Sequence, residues 1–180
     1  MIFEGAEVIG DEIYLYRNFL TEQEAKRYTD VAESFKADSW EKDPSGAQRY
    51  GHEFYELNDV LDKIKSIVPK GLNVEGSSTF TKMIVGSSLD VHDDECVHCS
   101  GRVPADKPEK NNVCLKYGMV IYFSNFTGGE IFYPNQNIKI QPNPGDLIIH
   151  SSKKECAHGV GEVKSGTRYT LAPYILDKNV

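Results

Sequence analysis

The sequence predicts an α+β domain that is mainly β, with N-terminal helices over about residues 1–72 packed on one face of a β core over about residues 73–176. Three observations carry this reading. Up to Val68 apolar residues recur at helical spacing, whereas from Asn73 onward the rhythm becomes short β-like runs broken by Gly, Pro and Asn. Ten Tyr and eight Phe against one Trp, with 15 Gly and 8 Pro, suit a sheet-rich chain with many turns. At 180 residues and 39% hydrophobic side chains the chain can bury one good core but is short for two, so one domain over 1–180 is expected.

The elements follow in order. Ile13-Tyr14-Leu15-Tyr16 reads as a strand, and Thr21-Glu22-Gln23-Glu24 is a capping-box pattern that opens a helix reaching about Phe35. Ala25, Tyr28, Val31, Ala32 and Phe35 form its apolar stripe. Ala37 to Glu53 is polar and turn-rich and reads as a loop. Leu57, Val60, Leu61, Ile64, Ile67 and Val68 make a second amphipathic helix, stopped by Pro69 and Gly71. Strands are expected at Ser78–Val85, Leu89–Asp94, Leu115–Ser124, Glu130–Phe132, Ile138–Gln141, Asp146–His150, Gly159–Val163 and Arg168–Ile175. Helices followed by these runs suggest a β-sandwich or barrel supported by helices.

Charge and hydropathy exclude several functions. A net charge of −7 argues against a phosphate-tracking nucleic-acid binder. The start Met1-Ile2-Phe3-Glu4-Gly5 lacks the basic and apolar runs of a secretory signal, and no segment approaches the roughly 20 apolar residues of a membrane span. A soluble cytoplasmic protein is expected, with Cys96, Cys99, Cys114 and Cys156 as reduced thiols. Cys96-x-x-Cys99, with His98 between and Cys114 downstream, has half the spacing of a zinc knuckle, but a second paired motif is missing.

His92-x-Asp94 and the distant His158 carry the chemistry. Side chains two apart on a strand share a face, so His92 and Asp94 point the same way. His158 can join them only if strands remote in sequence are neighbours, as a jelly roll allows. Two imidazoles and a carboxylate match the facial triad that leaves part of an iron coordination sphere open. Arg168 and Thr170 share one strand face with Ala172 and Tyr174. A guanidinium inside a barrel is costly unless it meets an anion, and its fork suits a carboxylate.

These residues stand in one order with Gly128-Gly129-Glu130, Pro144-Gly145-Asp146-Leu147-Ile148-Ile149, His158-Gly159-Val160 and Gly166-Thr167-Arg168-Tyr169-Thr170. Over about residues 78–176 the sequence resembles the Fe(II)- and 2-oxoglutarate-dependent dioxygenases of the prolyl 4-hydroxylase-like group. The resemblance implies a double-stranded β-helix in which His92, Asp94 and His158 hold iron. It implies that 2-oxoglutarate chelates the metal and that its far carboxylate meets Arg168, helped by Thr170 and Tyr122. The implied reaction is hydroxylation of a substrate C–H with O2, releasing succinate and CO2, with ascorbate as a further ligand. Asp94 stands where related halogenating enzymes have a small residue. Relatives often carry a Tyr on the preceding strand, where this chain has Lys82 and Met83.

The resulting expectation is a hydroxylase of prolyl residues in a peptide or protein, monomeric or weakly dimeric, with no nucleic-acid or membrane partner. Hydroxylation of a free amino acid or other small molecule is the alternative, and an inactive jelly-roll metal- or ligand-binding protein is the alternative of another class. Glu95 to Val113 is long enough to form a rim or lid over substrate, and Trp40 with Arg49-Tyr50 is a candidate peptide grip. His150, ending an apolar strand, reads as a packed or rim histidine, and His52 has no evident role.

Overall fold

The computed structural model describes residues 3–43, 49–53, 58–75, 79–94 and 114–177. In chain order these form β1 (Glu7–Gly10), β2 (Ile13–Tyr16), α1 (Glu22–Ser34), β3 (Glu41–Lys42), β4 (Tyr50–Glu53), α2 (Asn58–Ile67), β5 (Leu72–Glu75), β6 (Thr79–Met83), β7 (Leu89–His92) and β8 (Cys114–Tyr122). There follow β9 (Phe126–Gly128), β10 (Ile131–Tyr133), β11 (Ile138–Ile140), β12 (Leu147–Ser151), β13 (His158–Val160), β14 (Val163–Gly166), β15 (Arg168–Leu171) and β16 (Tyr174–Asp177). A ten-stranded antiparallel sheet runs β1-β2-β12-β8-β15-β6-β4-β3, with β16 paired to β8 and β5. Facing it is a four-stranded sheet, β11-β10-β13-β7, and β9 pairs with β14 apart from both. This is the jelly roll expected from the sequence, and strands from the N-terminal segment are woven into it.

The two helices described begin and end as their sequences dictate. Thr21 Oγ1 accepts from the Glu24 backbone N–H at 3.2 Å, and Glu24 Oε2 accepts from the Thr21 backbone N–H at 2.6 Å, a complete capping box. Ala25, Tyr28 and Ala32 are buried and lay α1 on the large sheet, where Tyr28 packs on Phe123 with ring centroids 5.2 Å apart. Val60 and Ile64 of α2 join the same core. Neither helix, nor any other among the described residues, is long and apolar enough to cross a membrane.

Three differences from the sequence reading have physical causes. The stretch read as a loop over 37–53 holds β3 and β4, and β4 pairs with β6 in the register Tyr50↔Lys82 and His52↔Phe80. Among the described residues only the two-residue β3 lies beyond it, so these strands lack the apolar alternation that a covered sheet imposes. The expected strand Arg168–Ile175 divides at Pro173, which has no N–H to offer the ladder. β15 then meets β8 at Thr170↔Tyr122, and β16 meets the same strand at Tyr174↔Gly118. The expected strand Gly159–Val163 also divides, because Gly161 bonds back to Glu130 while Val163 turns to pair with β9.

Other side chains settle into the frame. Trp40 is buried against Phe35 and Tyr169 with the Lys82 ammonium 5.0 Å from its ring centroid, so it belongs to the core and not to an exposed grip. His52 stacks on Phe35 at 3.7 Å. Cys156 is buried, its thiol 3.4 Å from the Asp11 carbonyl oxygen, and behaves as a small apolar residue. The cysteine pair Cys96 and Cys99, the Cys114 side chain, and the segment Glu95 to Val113 read as a rim or lid lie outside the described residues.

Candidate active site

β7 and β13 pair antiparallel with His158 opposite His92, which brings residues far apart in sequence to a ring-centroid separation of 4.5 Å. Asp94 lies just past the end of β7, still on the His92 side. One donor atom from each of His92, Asp94 and His158 falls within 4.8 Å of the others, and this is the cluster of three metal-ligating side chains found among the described residues. His158 is buried, while the His92 side chain is 37% exposed, so the centre opens to solvent on the β7 side.

Each imidazole is oriented by its remote nitrogen. His92 Nδ1 lies 2.9 Å from the Asp90 carbonyl oxygen and His158 Nδ1 lies 3.2 Å from that of Cys156. A carbonyl only accepts, so Nδ1 carries a proton in both rings, which leaves Nε2 as the nitrogen available to the centre. Burial, with His150 close by, pushes His158 below the ordinary imidazole range and keeps it neutral. Burial acts to raise the Asp94 carboxyl, but the hydrogen bond from His150 and the neighbouring imidazoles outweigh it and hold the group below its usual range. His158 and Asp94 are therefore in the deprotonated form that a cation requires.

Across the cleft, Arg168 is 4% exposed and makes no ion pair among the described residues. Its Nη1 is 3.5 Å from Thr170 Oγ1 and from Met83 Sδ, its Nη2 is 3.4 Å from Tyr122 Oη, and its Nε has no hydrogen-bond partner. These are long contacts to neutral groups, a poor return for burying a cation. One cleft is lined by His92, Asp94 and His158 together with Arg168 and Thr170. Tyr122 is wholly buried beneath the guanidinium, whose carbon stands 5.0 Å from its ring centroid. A divalent ion at the three donors and a carboxylate at Arg168 would both fit: the first finds two nitrogens and an oxygen converging, the second finds the orphaned fork.

The pairing of β6 with β15 puts Met83 opposite Arg168 and lining the cleft, while Lys82 turns to the other face. A thioether thus stands on the guanidinium where relatives often carry a phenol. The residue that sequence reasoning undervalued is His150. Its Nε2 is 3.2 Å from Asp94 Oδ2 and its Nδ1 is 2.7 Å from the Tyr133 hydroxyl. The alternation of β12 carried the signal, since a residue two beyond the inward Ile148 must also point between the sheets.

Solved structures share this architecture. The viral collagen prolyl hydroxylase of Paramecium bursaria Chlorella virus-1, in complex with 2-oxoglutarate, superimposes with a TM-score of 0.68 at 20% identity, over 93% of this chain and 96% of that one. A prolyl-4-hydroxylase of Pseudomonas putida gives 0.67 at 14% identity over 91% of both chains. A prolyl hydroxylase of Trichoplax adhaerens, bound to a hypoxia inducible factor peptide fragment, gives 0.66 at 14% identity over 93% of this chain and 84% of that one. No curated protein sequence matches the chain. The sequence model of the 2OG-Fe(II) oxygenase superfamily matches residues 78–176, the stretch that holds the three donors and Arg168, and the chain belongs to that superfamily.

Proposed function

We propose that the protein is an Fe(II)- and 2-oxoglutarate-dependent hydroxylase of prolyl residues in a peptide or protein. His92, Asp94 and His158 hold the iron, and Arg168, Thr170 and Tyr122 receive the far carboxylate of 2-oxoglutarate. The observation that carries this reading is the buried Arg168 with its unpartnered Nε, facing three metal donors along one cleft. When bound, ferrous ion with 2-oxoglutarate and O2 supplies the oxidising power that hydroxylates a C–H bond, the oxo acid leaving as succinate and CO2.

The chain's own residues set the conditions for that chemistry. His158 Nε2 and the Asp94 carboxylate bind without first losing a proton. The two guanidinium edges fix the length and direction of a dicarboxylate lying between Arg168 and the donors. Met83, Ile131 and Val160 line the cleft with apolar surface and exclude water from it.

Room for a polypeptide supports the prolyl substrate. Arg49, Thr81, Ala172 and Tyr174 line both the cleft and an adjoining open cavity of about 600 Å³, bounded further out by Glu41, Asp43 and Glu53. That volume exceeds the needs of a free amino acid. The likeness to solved prolyl hydroxylases, one with a peptide bound, points the same way. Cytoplasmic location, a monomeric or weakly dimeric state and use of ascorbate belong to the same proposal.

The test is substrate-stimulated succinate release, with mass spectrometry of the product. Proline-containing peptides should stimulate release and gain one oxygen on proline. Stimulation by free proline or another small molecule alone would replace the peptide reading. Formation of the anaerobic Fe(II)–2-oxoglutarate absorption band with no turnover on any substrate would favour a binding protein.

A further inference from the structure

We infer that His150, held by Tyr133, is a positioning residue that selects which oxygen of Asp94 is offered to the metal. The inference rests on His92, Asp94 and His158 being the ligands, and it concerns a residue outside that set.

His150 sits on β12 directly across from Gly118 on β8, with only 1% of its surface exposed. Its ring lies 4.1 Å from that of His158 and its two nitrogens face different partners. The Tyr133 hydroxyl is 2.7 Å from Nδ1, and Asp94 Oδ2 is 3.2 Å from Nε2. A carboxylate can only accept, so Nε2 carries the proton and donates it to Oδ2. In the neutral ring Nδ1 is then the acceptor, and the Tyr133 O–H donates to it. Every polar atom of the ring has one role, and Tyr133, itself fully buried, fixes which tautomer is present.

With Oδ2 engaged, Oδ1 is the oxygen left on the His92 side, 3.9 Å from His92 Nε2. The carboxylate is thereby turned to donate through one oxygen, which keeps open the positions that an oxo acid and O2 must share. A separate feature of the sheet points to the same device. A Cβ placed on Gly118 would stand 2.5 Å from Asp94 Oδ2 and 2.6 Å from His150 Nε2. The two side chains meet over the one position of β8 that has no side chain of its own.

The experiment measures metal binding without turnover. Fe(II) affinity is determined anaerobically, and Co(II) absorption spectra with and without 2-oxoglutarate report the coordination sphere, for the parent, His150→Phe, His150→Gln, Tyr133→Phe and His92→Ala. His150→Phe should weaken Fe(II) roughly 10–100-fold, the range seen when an outer hydrogen bond to a ligand is removed, and should alter the Co(II) spectrum. His150→Gln, which keeps an N–H donor, should recover most of both, and Tyr133→Phe should show a smaller loss in the same direction. Parental affinity and spectrum in His150→Phe would overturn the inference. Should that variant not fold, Tyr133→Phe decides: parental values in it overturn the inference equally. His92→Ala separates the two levels. If it binds Fe(II) like the parent, the ligand assignment itself is wrong; if binding is lost while His150→Phe is unaffected, only the role of His150 falls.

Discussion

The central strands β8, β12 and β15 have two faces that were built for different ends. Toward the helices they present Met119, Ile121, Phe123 beside the strand end, Leu147, Ile149, Tyr169 and Leu171, which close on Tyr28, Ala32, Val60 and Ile64. Toward the second sheet the same strands present Tyr122, Ile148, His150, Arg168 and Thr170, with Gly118 left bare. Alternation of the strand backbone separates the sets one residue at a time. The first face is aliphatic and aromatic, needs no specific partner and accounts for stability through burial. The second buries a cation with few partners of its own and an imidazole hydrogen-bonded to Asp94, an arrangement that lowers stability and makes sense only if something binds there.

Substitutions in the cleft and on the first face should therefore separate activity from stability, and the largest effect is expected at the side chains that the second face looks onto from across the cleft. His158→Ala or Asp94→Ala should bring iron-dependent succinate release to background, and His158→Ala should unfold at or above the parental temperature because a buried polar group has been removed. A large drop in melting temperature instead would mean that these residues hold the fold, and the division between faces would fail. On the first face Phe123→Ala should cost about 3–5 kcal/mol and Ile121→Ala about 2–5 kcal/mol in urea unfolding, with the Fe(II) affinity of the folded fraction unchanged. Arg168→Met keeps the volume and removes the charge. It should raise the 2-oxoglutarate requirement by the equivalent of roughly 2–5 kcal/mol, read as an increase in KM, with stability held or raised. Loss of stability without change in KM would move Arg168 from the second category to the first.

The same contrast explains what was legible in the sequence. α1 announces itself by Thr21 and Glu24 at one end and by Ala25, Tyr28 and Ala32 along its length, all local signals. Leu147-Ile148-Ile149 reads as a strand because both faces are covered. The grouping of His92, Asp94 and His158 with Arg168 was legible because two of them share a strand face and all four stand in one order along the chain. β3 and β4 were not, since a strand close to the sheet edge such as Tyr50-Gly51-His52-Glu53 has no burial pattern to betray it. The partner of His150 was not legible either. Its inward direction follows from Ile148, but its meeting with Asp94 depends on the register His150↔Gly118 between strands far apart in sequence. The same holds for Lys82 and Met83, whose assignment to opposite faces is fixed only by the pairing Arg168↔Met83.

The smallest expected effect tests whether the helical cover acts on the first face alone. Glu24 accepts from the Thr21 backbone N–H and hydroxyl and is 3.2 Å from the Lys63 ammonium, so one carboxylate caps α1 and ties it to α2. The backbone hydrogen bond from Thr21 is the largest influence on this carboxyl and, against a weaker opposing effect of burial, holds it below the usual glutamate range near 4.5. A folded state that binds its proton less readily than the unfolded chain gains stability above that range and loses it as pH falls through the lower folded value. Glu24→Ala should thus cost roughly 0.5–1 kcal/mol at pH 7, mostly from the cap because the ion pair is half in solvent, and the difference from the parent should shrink toward zero in urea titrations at strongly acidic pH. Fe(II) affinity at pH 7 should not move. If it does, the cover transmits its state through β8 to the metal side, and the two faces are coupled rather than independent.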